Sequence, residues 1–350
     1  MSEQLINSGL VVRTTGSWYR VLISDGNAVD CRLRGNYRLR GSKQTNPIAV
    51  GDNVSFQLLD DGTGMITDIA DRRNCIIRRA TKLSKQTHVI AANIDQLCIV
   101  ATLGFPRTST GFIDRLLVTA EAYHIPAVII FNKCDLYGAE NENQNENENQ
   151  NGYETSSELW QIHNEIKAIY EAAGYPVYEV SALTGQGVDE IKKLINGKVS
   201  LFSGHSGVGK SALLNAIDPS LHLRTGEVSE WSLKGKHTTT FAEIFPIKLK
   251  HSSIVGRADG TPQTLKQSFL IDTPGIKEFG MVDFTPEELS HFFPEMRERL
   301  HDCHFANCTH RHEPGCAIKA AVESGEISEE RYQNYLNIIE SIETDAPIRR

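Results

Sequence analysis

Short alternations of apolar and polar residues fill the first part of the chain, and glycine breaks them repeatedly. Leu10-Val11-Val12 and the runs 18–23, 28–33, 52–58 and 65–69 are separated by Gly16, Asp25-Gly26-Asn27, Gly51-Asp52 and Asp61-Gly62-Thr63-Gly64. Period-two patterning bounded by glycine and Asx turns predicts strands. Five short strands so close together predict a small β-barrel of the OB type, with an SH3-like or other minor barrel as the competing arrangement. From Asp95 the pattern changes. Apolar runs at 94–102, 127–131, 177–180 and 199–202 alternate with helical periodicity at 112–123, 156–173 and 188–195. That alternation predicts a mostly parallel sheet covered by helices on both faces. Two further helical patterns, 317–324 and 328–342, follow near the end of the chain.

A chain of 350 residues with 40% hydrophobic content suits a multidomain globular protein. The expected division is an N-terminal barrel at 1–80, an α/β domain at 81–283 and a helical domain at 284–350. No apolar run exceeds strand length, so no membrane partner is expected. The first residues lack a basic start followed by an apolar block, so no secretion signal is expected either, and the cytoplasm is the default location. Net charge is −8, unevenly spread: residues 1–88 hold thirteen Lys and Arg against eight Asp and Glu, a surplus of +5. A basic module on an acidic body is suited to binding phosphate backbones locally. A connector with Arg72, Arg73, Arg78, Arg79, Lys82 and Lys85 leads out of it. The tract 141–151 holds only Asn, Glu and Gln, so it reads as a disordered insertion with no assigned function.

Gly204-His205-Ser206-Gly207-Val208-Gly209-Lys210-Ser211 follows the apolar run 199–202 and opens a helical stretch at 211–217 that includes Ala212. That is the setting a phosphate-binding loop requires. Glycines let backbone N–H groups curl round phosphates, and the helix N-terminus adds positive potential. Lys210 is expected to reach the β- and γ-phosphates, and the Ser211 hydroxyl to ligate Mg²⁺. Asp272-Thr273-Pro274-Gly275 follows the apolar run 269–271; Asp272 is the expected second Mg²⁺ group, and the Gly275 N–H the γ-phosphate contact. Asn132-Lys133-Cys134-Asp135 ends the run 127–131, where the Asp135 carboxylate suits guanine N1–H and N2–H₂ and not adenine. Ser181-Ala182-Leu183 follows Val180 and fits a second guanine-contacting loop. The order is rotated: in an ordinary GTPase the glycine-rich loop leads and Asn-Lys-x-Asp trails. Loops converging at strand ends keep the chemistry intact through such a permutation. An ATP-using P-loop protein is the competing class, and Asp135 opposes it.

The residue after Asp-x-x-Gly is Ile276, where Ras-like enzymes place a water-orienting glutamine. An aliphatic side chain cannot hydrogen-bond water, so intrinsic hydrolysis is expected to be slow. His237, just before Thr238-Thr239-Thr240, is the candidate to orient or deprotonate water. Exposed loop histidine is the plain alternative. One of Thr238, Thr239 and Thr240 is expected to bind Mg²⁺ and the γ-phosphate, and the sequence does not say which; Thr238 and Thr239 are counted among the GTP-binding residues. A GTP-binding assembly factor without catalysis stays open on the strength of Ile276.

Of seven cysteines, Cys31, Cys75, Cys98 and Cys134 are scattered and read as small apolar residues. The others form Cys303-x4-Cys308-x-His310-x5-Cys316, four N/S ligands with no open position, which describes one structural tetrahedral Zn²⁺ site. His301, His304 and His312 are alternatives to His310.

Together, Ala92-Asn93-Ile94-Asp95-Gln96, the rotated motifs, Gly235-Lys236-His237-Thr238-Thr239-Thr240 and the Cys-x4-Cys-x-His-x5-Cys cluster resemble the RsgA family (ribosome small-subunit-dependent GTPase A), bacterial circularly permuted GTPases. The likeness runs nearly end to end; the departure is the 141–151 tract. It implies an OB-type barrel, a permuted P-loop GTPase domain and a helical zinc domain. It also implies a GTP/GDP-cycling enzyme, taken here as a monomer, that acts late in 30S subunit maturation and is stimulated by that subunit. Barrel and zinc domain would then contact 16S rRNA. Arg32, Arg34, Arg38, Arg40 and Lys43 fit that role, as do Trp18, Tyr19 and Tyr37 if they stack on bases, with core packing the alternative for Trp18.

Overall fold

The computed structural model describes residues 6–34, 47–79, 87–104, 106–137, 156–223, 243–248, 267–272 and 285–345. In chain order the strands are β1 (Ile6–Thr15), β2 (Trp18–Leu22), β3 (Ala28–Leu33), β4 (Asn53–Leu58), β5 (Gly64–Ile69), β6 (Cys75–Arg79), β7 (Thr87–Ala92), β8 (Gln96–Ala101), β9 (Ala127–Asn132), β10 (Val177–Val180), β11 (Val199–Ser203), β12 (Glu243–Ile247) and β13 (Ser268–Asp272). The helices are α1 (Thr110–Ala122), α2 (Ser156–Ala172), α3 (Val188–Ile195), α4 (Lys210–Ile217), α5 (Pro286–Leu289), α6 (Pro294–Arg297), α7 (Ala317–Glu323) and α8 (Glu329–Asp345). They fall into two compact units. The first draws on Met1–Gln96, Lys193–Phe202 and Glu230–Val282, the second on Leu97–Lys192, Ser203–Ser229 and Asp283–Arg350.

In the first unit the strands run β1-β2-β3-β5-β4, and β4 pairs back onto β1 to close a five-stranded barrel. All its pairings are antiparallel except β3 with β5. Alternate positions turn Val11, Tyr19, Val21, Cys31, Val54, Phe56 and Ile66 into one core, and Ile48 joins them. Burial pushes the Cys31 thiol up to about 12, as a small apolar core residue requires. Tyr19 is part of this core, which removes it from the candidate base-stacking residues. Arg72 is not a free cation of the connector: its guanidinium donates twice, at 2.7 Å, to the buried carboxylate of Asp52.

The connector folds into an antiparallel hairpin of β6 and β7, which its basic composition hid. The segment after it is a structural joint. Asn93, at φ 56°, donates through Nδ2 to Gly51 O and accepts from Arg73 N. Asp95 Oδ2 accepts from Val199 N at 2.8 Å, and Gln96 Nε2 donates to Ser200 Oγ at 3.0 Å. β11 pairs parallel with β13, and β13 antiparallel with β12, a strand the sequence did not announce because Pro246 interrupts it. β12 in turn pairs with β1 at Arg13 and Glu243.

In the second unit β8, β9 and β10 are parallel neighbours, with β9 between the other two. β8 and β9 are buried throughout, as expected of strands covered on both faces. Helix α1 starts at Ser109, whose side chain accepts from Phe112 N. The tract 141–151 lies outside the described residues.

Candidate nucleotide site and metal centre

Three of the sequence motifs meet in the second unit, and Asn132 is the residue that joins them. It ends β9 and is 1% exposed. Its Nδ2 donates to Val208 O at 2.9 Å, in the glycine-rich loop, and its Oδ1 accepts from Ala182 N at 3.0 Å. One side-chain amide therefore fixes the loop after β9, the loop after β10 and the loop ahead of α4. Lys133 follows at φ 67°, which turns the chain sharply into a 3-10 turn, Cys134–Leu136, that carries Asp135. Burial lowers the Lys133 amine, and Asp135 works against that shift. Cys134 is packed inside, its thiol raised to about 11 chiefly by burial.

Ser181 is fully buried and builds its own loop. Its N–H donates to Gln186 O, its carbonyl accepts from Gly185 N, and its hydroxyl accepts from Thr184 N at 3.1 Å. Leu183 is left 86% exposed at the tip.

The glycine-rich loop needs its glycines. Gly209, at φ 84°, caps α4, and a Cβ there would run into the Asn132 amide. A Cβ on Gly204 would strike the Val100 carbonyl. Lys210 and Ser211 begin α4, with Ala212 behind them, so the loop N–H groups and the helix N-terminus share one end. Two neighbours of this loop carry no motif signature. Pro106 lies against Gly207, and Phe112 stacks on His205 with ring centroids 3.7 Å apart.

Asp272 is the last residue of β13; its side chain, with His237, Thr238, Thr239 and Gly275, lies outside the described residues.

The metal-ligand atoms of Cys303, Cys308, His310 and Cys316 all lie within 4.8 Å of one another, so these residues form a group able to hold a metal ion. His310 presents Nδ1, 3.6 Å from Cys303 Sγ and 3.4 Å from Cys316 Sγ. Four ligands about 2.0–2.3 Å from one ion stand at comparable separations, so the donor set fits a tetrahedral site. Glu313 organises the loop, its carboxylate accepting from the N–H groups of Thr309, Arg311 and His312 and from the Thr309 hydroxyl. Burial pulls the Glu313 carboxyl up, but these donors outweigh it and hold the group far below the usual carboxylate range. His301, His304 and His312 are not part of the group.

On the barrel, Arg13, Thr15, Trp18, Arg20, Asp30 and Thr63 line an open cleft of about 370 Å³. The Arg32 guanidinium lies 3.8 Å from the centre of the Trp18 ring. Trp18 is half-buried at the surface, outside the barrel core. Tyr37, Arg38, Arg40 and Lys43 lie outside the described residues.

Comparison with known proteins agrees with this geometry. The RsgA GTPase family matches residues 69–282, and the RsgA N-terminal domain matches residues 8–66. The chain belongs to the RsgA family. Among relatives, a small ribosomal subunit biogenesis GTPase RsgA of Bacteroides fragilis is 47% identical over 335 residues, 96% of this chain and 97% of that one. Small ribosomal subunit biogenesis GTPase RsgA 2 of Bacteroides thetaiotaomicron is 48% identical over the same span. The crystal structure of YjeQ from Thermotoga maritima matches with TM-score 0.72 and 32% identity, covering 99% of this chain and all of that one. YloQ, described as a circularly permuted GTPase, matches at 0.69 and 27%, covering all of this chain and 99% of that one. The chain is thus a circularly permuted RsgA-type GTPase with an N-terminal five-stranded barrel and a C-terminal Cys3His cluster. No helix among the described residues is long and apolar enough to cross a membrane.

Proposed function

We propose that this chain hydrolyses GTP to GDP and phosphate during late maturation of the small ribosomal subunit, and that the subunit stimulates the reaction. The observation that carries the nucleotide reading is the Asn132 amide, bonded to Val208 and Ala182 and so holding three motif loops in register. Asp135 would accept hydrogen bonds from guanine N1–H and N2–H₂, and backbone N–H groups near Ala182 would meet O6. The N–H groups of Gly204 to Ser211, with Lys210, would hold the β- and γ-phosphates, and Ala212 N–H would extend that contact along α4. Ser211, Asp272 and one of Thr238, Thr239 and Thr240 would hold Mg²⁺, which offsets phosphate charge. Gly275 N–H would face the γ-phosphate and His237 the attacking water.

The three thiolates and His310 Nδ1 form a donor set suited to one structural Zn²⁺, closed to substrate. Domains at 1–80, 81–283 and 284–350, a monomeric state and a cytoplasmic location complete the reading. For the barrel we take 16S rRNA as the partner, supported by Trp18, Arg20 and Arg32 on one outward face.

Ile276 favours one second reading, a GTP-binding rRNA assembly factor without turnover. A binding assay of GTP against ATP tests the nucleotide site, and phosphate release with and without 30S subunits separates the two readings. Equal affinity for GTP and ATP would overturn the first; absence of turnover with subunits would leave the second.

A further inference from the structure

We propose that Arg331 is a positioning residue for the phosphate-binding loop, acting on it through helix α1. The inference rests on the nucleotide reading above and adds a residue that no motif contains.

The contact between α8 and α1 is built around one buried guanidinium. The Arg331 side chain is 3% exposed, and it donates from Nη1 to Asp114 Oδ1 at 2.5 Å. Its Nε and Nη2 donate to both carboxylate oxygens of Glu295, at 2.7 and 2.9 Å. Asp114 is completely buried, and its second oxygen accepts from Asn334 Nδ2 at 2.7 Å. The rings of Phe293, Tyr170 and Tyr175 surround the guanidinium, 4.8, 5.5 and 5.6 Å from its central carbon. One turn away, the Thr110 hydroxyl donates to Glu330 Oε1 at 2.7 Å, and the Thr110 carbonyl accepts from Tyr170 OH at 3.2 Å.

A planar fork engaged on two carboxylates has a single good arrangement, because sliding either helix breaks several charge-assisted hydrogen bonds at once. α8 is held on its other side as well. Tyr332 OH donates to His310 O at 2.6 Å, and Tyr335 OH donates to Thr309 O at 2.9 Å. The helix that fixes α1 is thus itself fixed to the loop of the Cys3His group.

From Asp114 the route to the phosphate loop is two residues long. Phe112 stacks on His205 at 3.7 Å with an interplanar angle of 29°. The strand-to-helix connection before α1 meets the loop a second time, where Pro106 lies against Gly207. The Thr102 hydroxyl donates to the Pro106 carbonyl and the Thr108 hydroxyl accepts from Thr102 N, so Pro106 and Thr108 are tied to the end of β8. A close-packed interior transmits a shift of α1 to whatever stacks upon it. Loosening the Arg331 fork would therefore move Phe112 and, with it, the backbone beside His205 that receives the phosphates.

The experiment uses the metal-loaded full chain and a fluorescent GDP analogue, whose dissociation rate is measured by competition with unlabelled GDP. Arg331→Lys keeps the buried charge and removes the fork; Phe112→Leu removes the stack. Each is expected to raise the dissociation rate about fivefold, the low end of typical intersite coupling, with metal content unchanged. The double variant should be no faster than the faster single one, because both interrupt one route. Phe112→Trp, which restores a ring, should return the rate towards that of the parent. Parental rates in Arg331→Lys, or multiplied effects in the double variant, would overturn the proposal. If Arg331→Lys loses its metal or fails to fold, Asn334→Ala takes its place, and a parental rate there is equally fatal. Failure of the underlying nucleotide reading shows separately, as no GDP binding by the parent chain.

Discussion

Asn132 makes two hydrogen bonds, one as donor and one as acceptor, that a single amide can make and a carboxylate cannot. Asn132→Ala removes both at about 1 kcal/mol each, so GDP affinity should fall roughly 30-fold in equilibrium titration. His163 shows a different residue-level effect. It is fully buried among Phe131, Tyr137 and Trp160, with its Nε2 3.5 Å from Glu179. Burial lowers its pKa below the ordinary 6.5, with Glu179 opposing that shift and Lys167 reinforcing it. The unfolded chain then binds a proton that the folded chain resists, so the stability contribution is present above pH 6.5 and is lost as pH falls below it. Thermal unfolding measured between pH 7.5 and 5.5 should show that loss, and His163→Phe should make the curve flatter. For the hydrolytic step, His237→Ala should lower subunit-stimulated phosphate release and leave GTP affinity nearly unchanged; unaltered turnover would remove that histidine from the mechanism.

At the scale of elements, α7 and α8 are secured by the Cys3His loop, through Lys319 N donating to Cys316 Sγ and through the two tyrosine hydroxyls. Cys303→Ser, or treatment with a strong chelator, should abolish bound metal and expose the backbone of 303–345 to hydrogen exchange, since metal binding in such sites is folding free energy. An unchanged exchange pattern without metal would make the cluster dispensable for folding. Most elements were legible from periodicity, because β8 and β9 are nearly continuous apolar runs, β10 and β11 are short strands rich in β-branched and aromatic or aliphatic residues, and α3 keeps a clean amphipathic repeat. Among those that were missed, β6, partner of the equally missed β7, ends in two arginines, β12 contains Pro246, and α5 and α6 are only four residues each. Spacing alone pointed to Cys303, Cys308 and Cys316 and left His310 as one of four candidate histidines; it is the fold that brings His310 to the three cysteines. Spacing could not show the work of Asn93 and Asp95, whose partners at Gly51 and Val199 are remote in sequence. Nor could it show Phe112 on His205, since nothing in an aromatic residue at the start of a helix names its neighbour.

Across the whole molecule, charge is divided so that the basic surplus sits in the first 88 residues of an acidic chain. If the barrel meets rRNA through the face holding Trp18, Arg20 and Arg32, each phosphate contact contributes to counterion release. Arg20→Ala and Arg32→Ala should then each reduce the slope of log affinity for 30S subunits against log salt by about 0.7–0.9, while GDP binding stays intact. An unchanged slope would place the rRNA contact elsewhere. β1 belongs to the barrel, yet it also pairs with β12, whose other neighbour is β13. A fragment that begins after the barrel would lose the Arg13–Glu243 pairing and leave that side of β12 without its barrel neighbour, an opening for self-association. The amino-terminal module thus meets the margin of β12 at Arg13 and Glu243, and a piece cut free of the barrel would present that position to solvent.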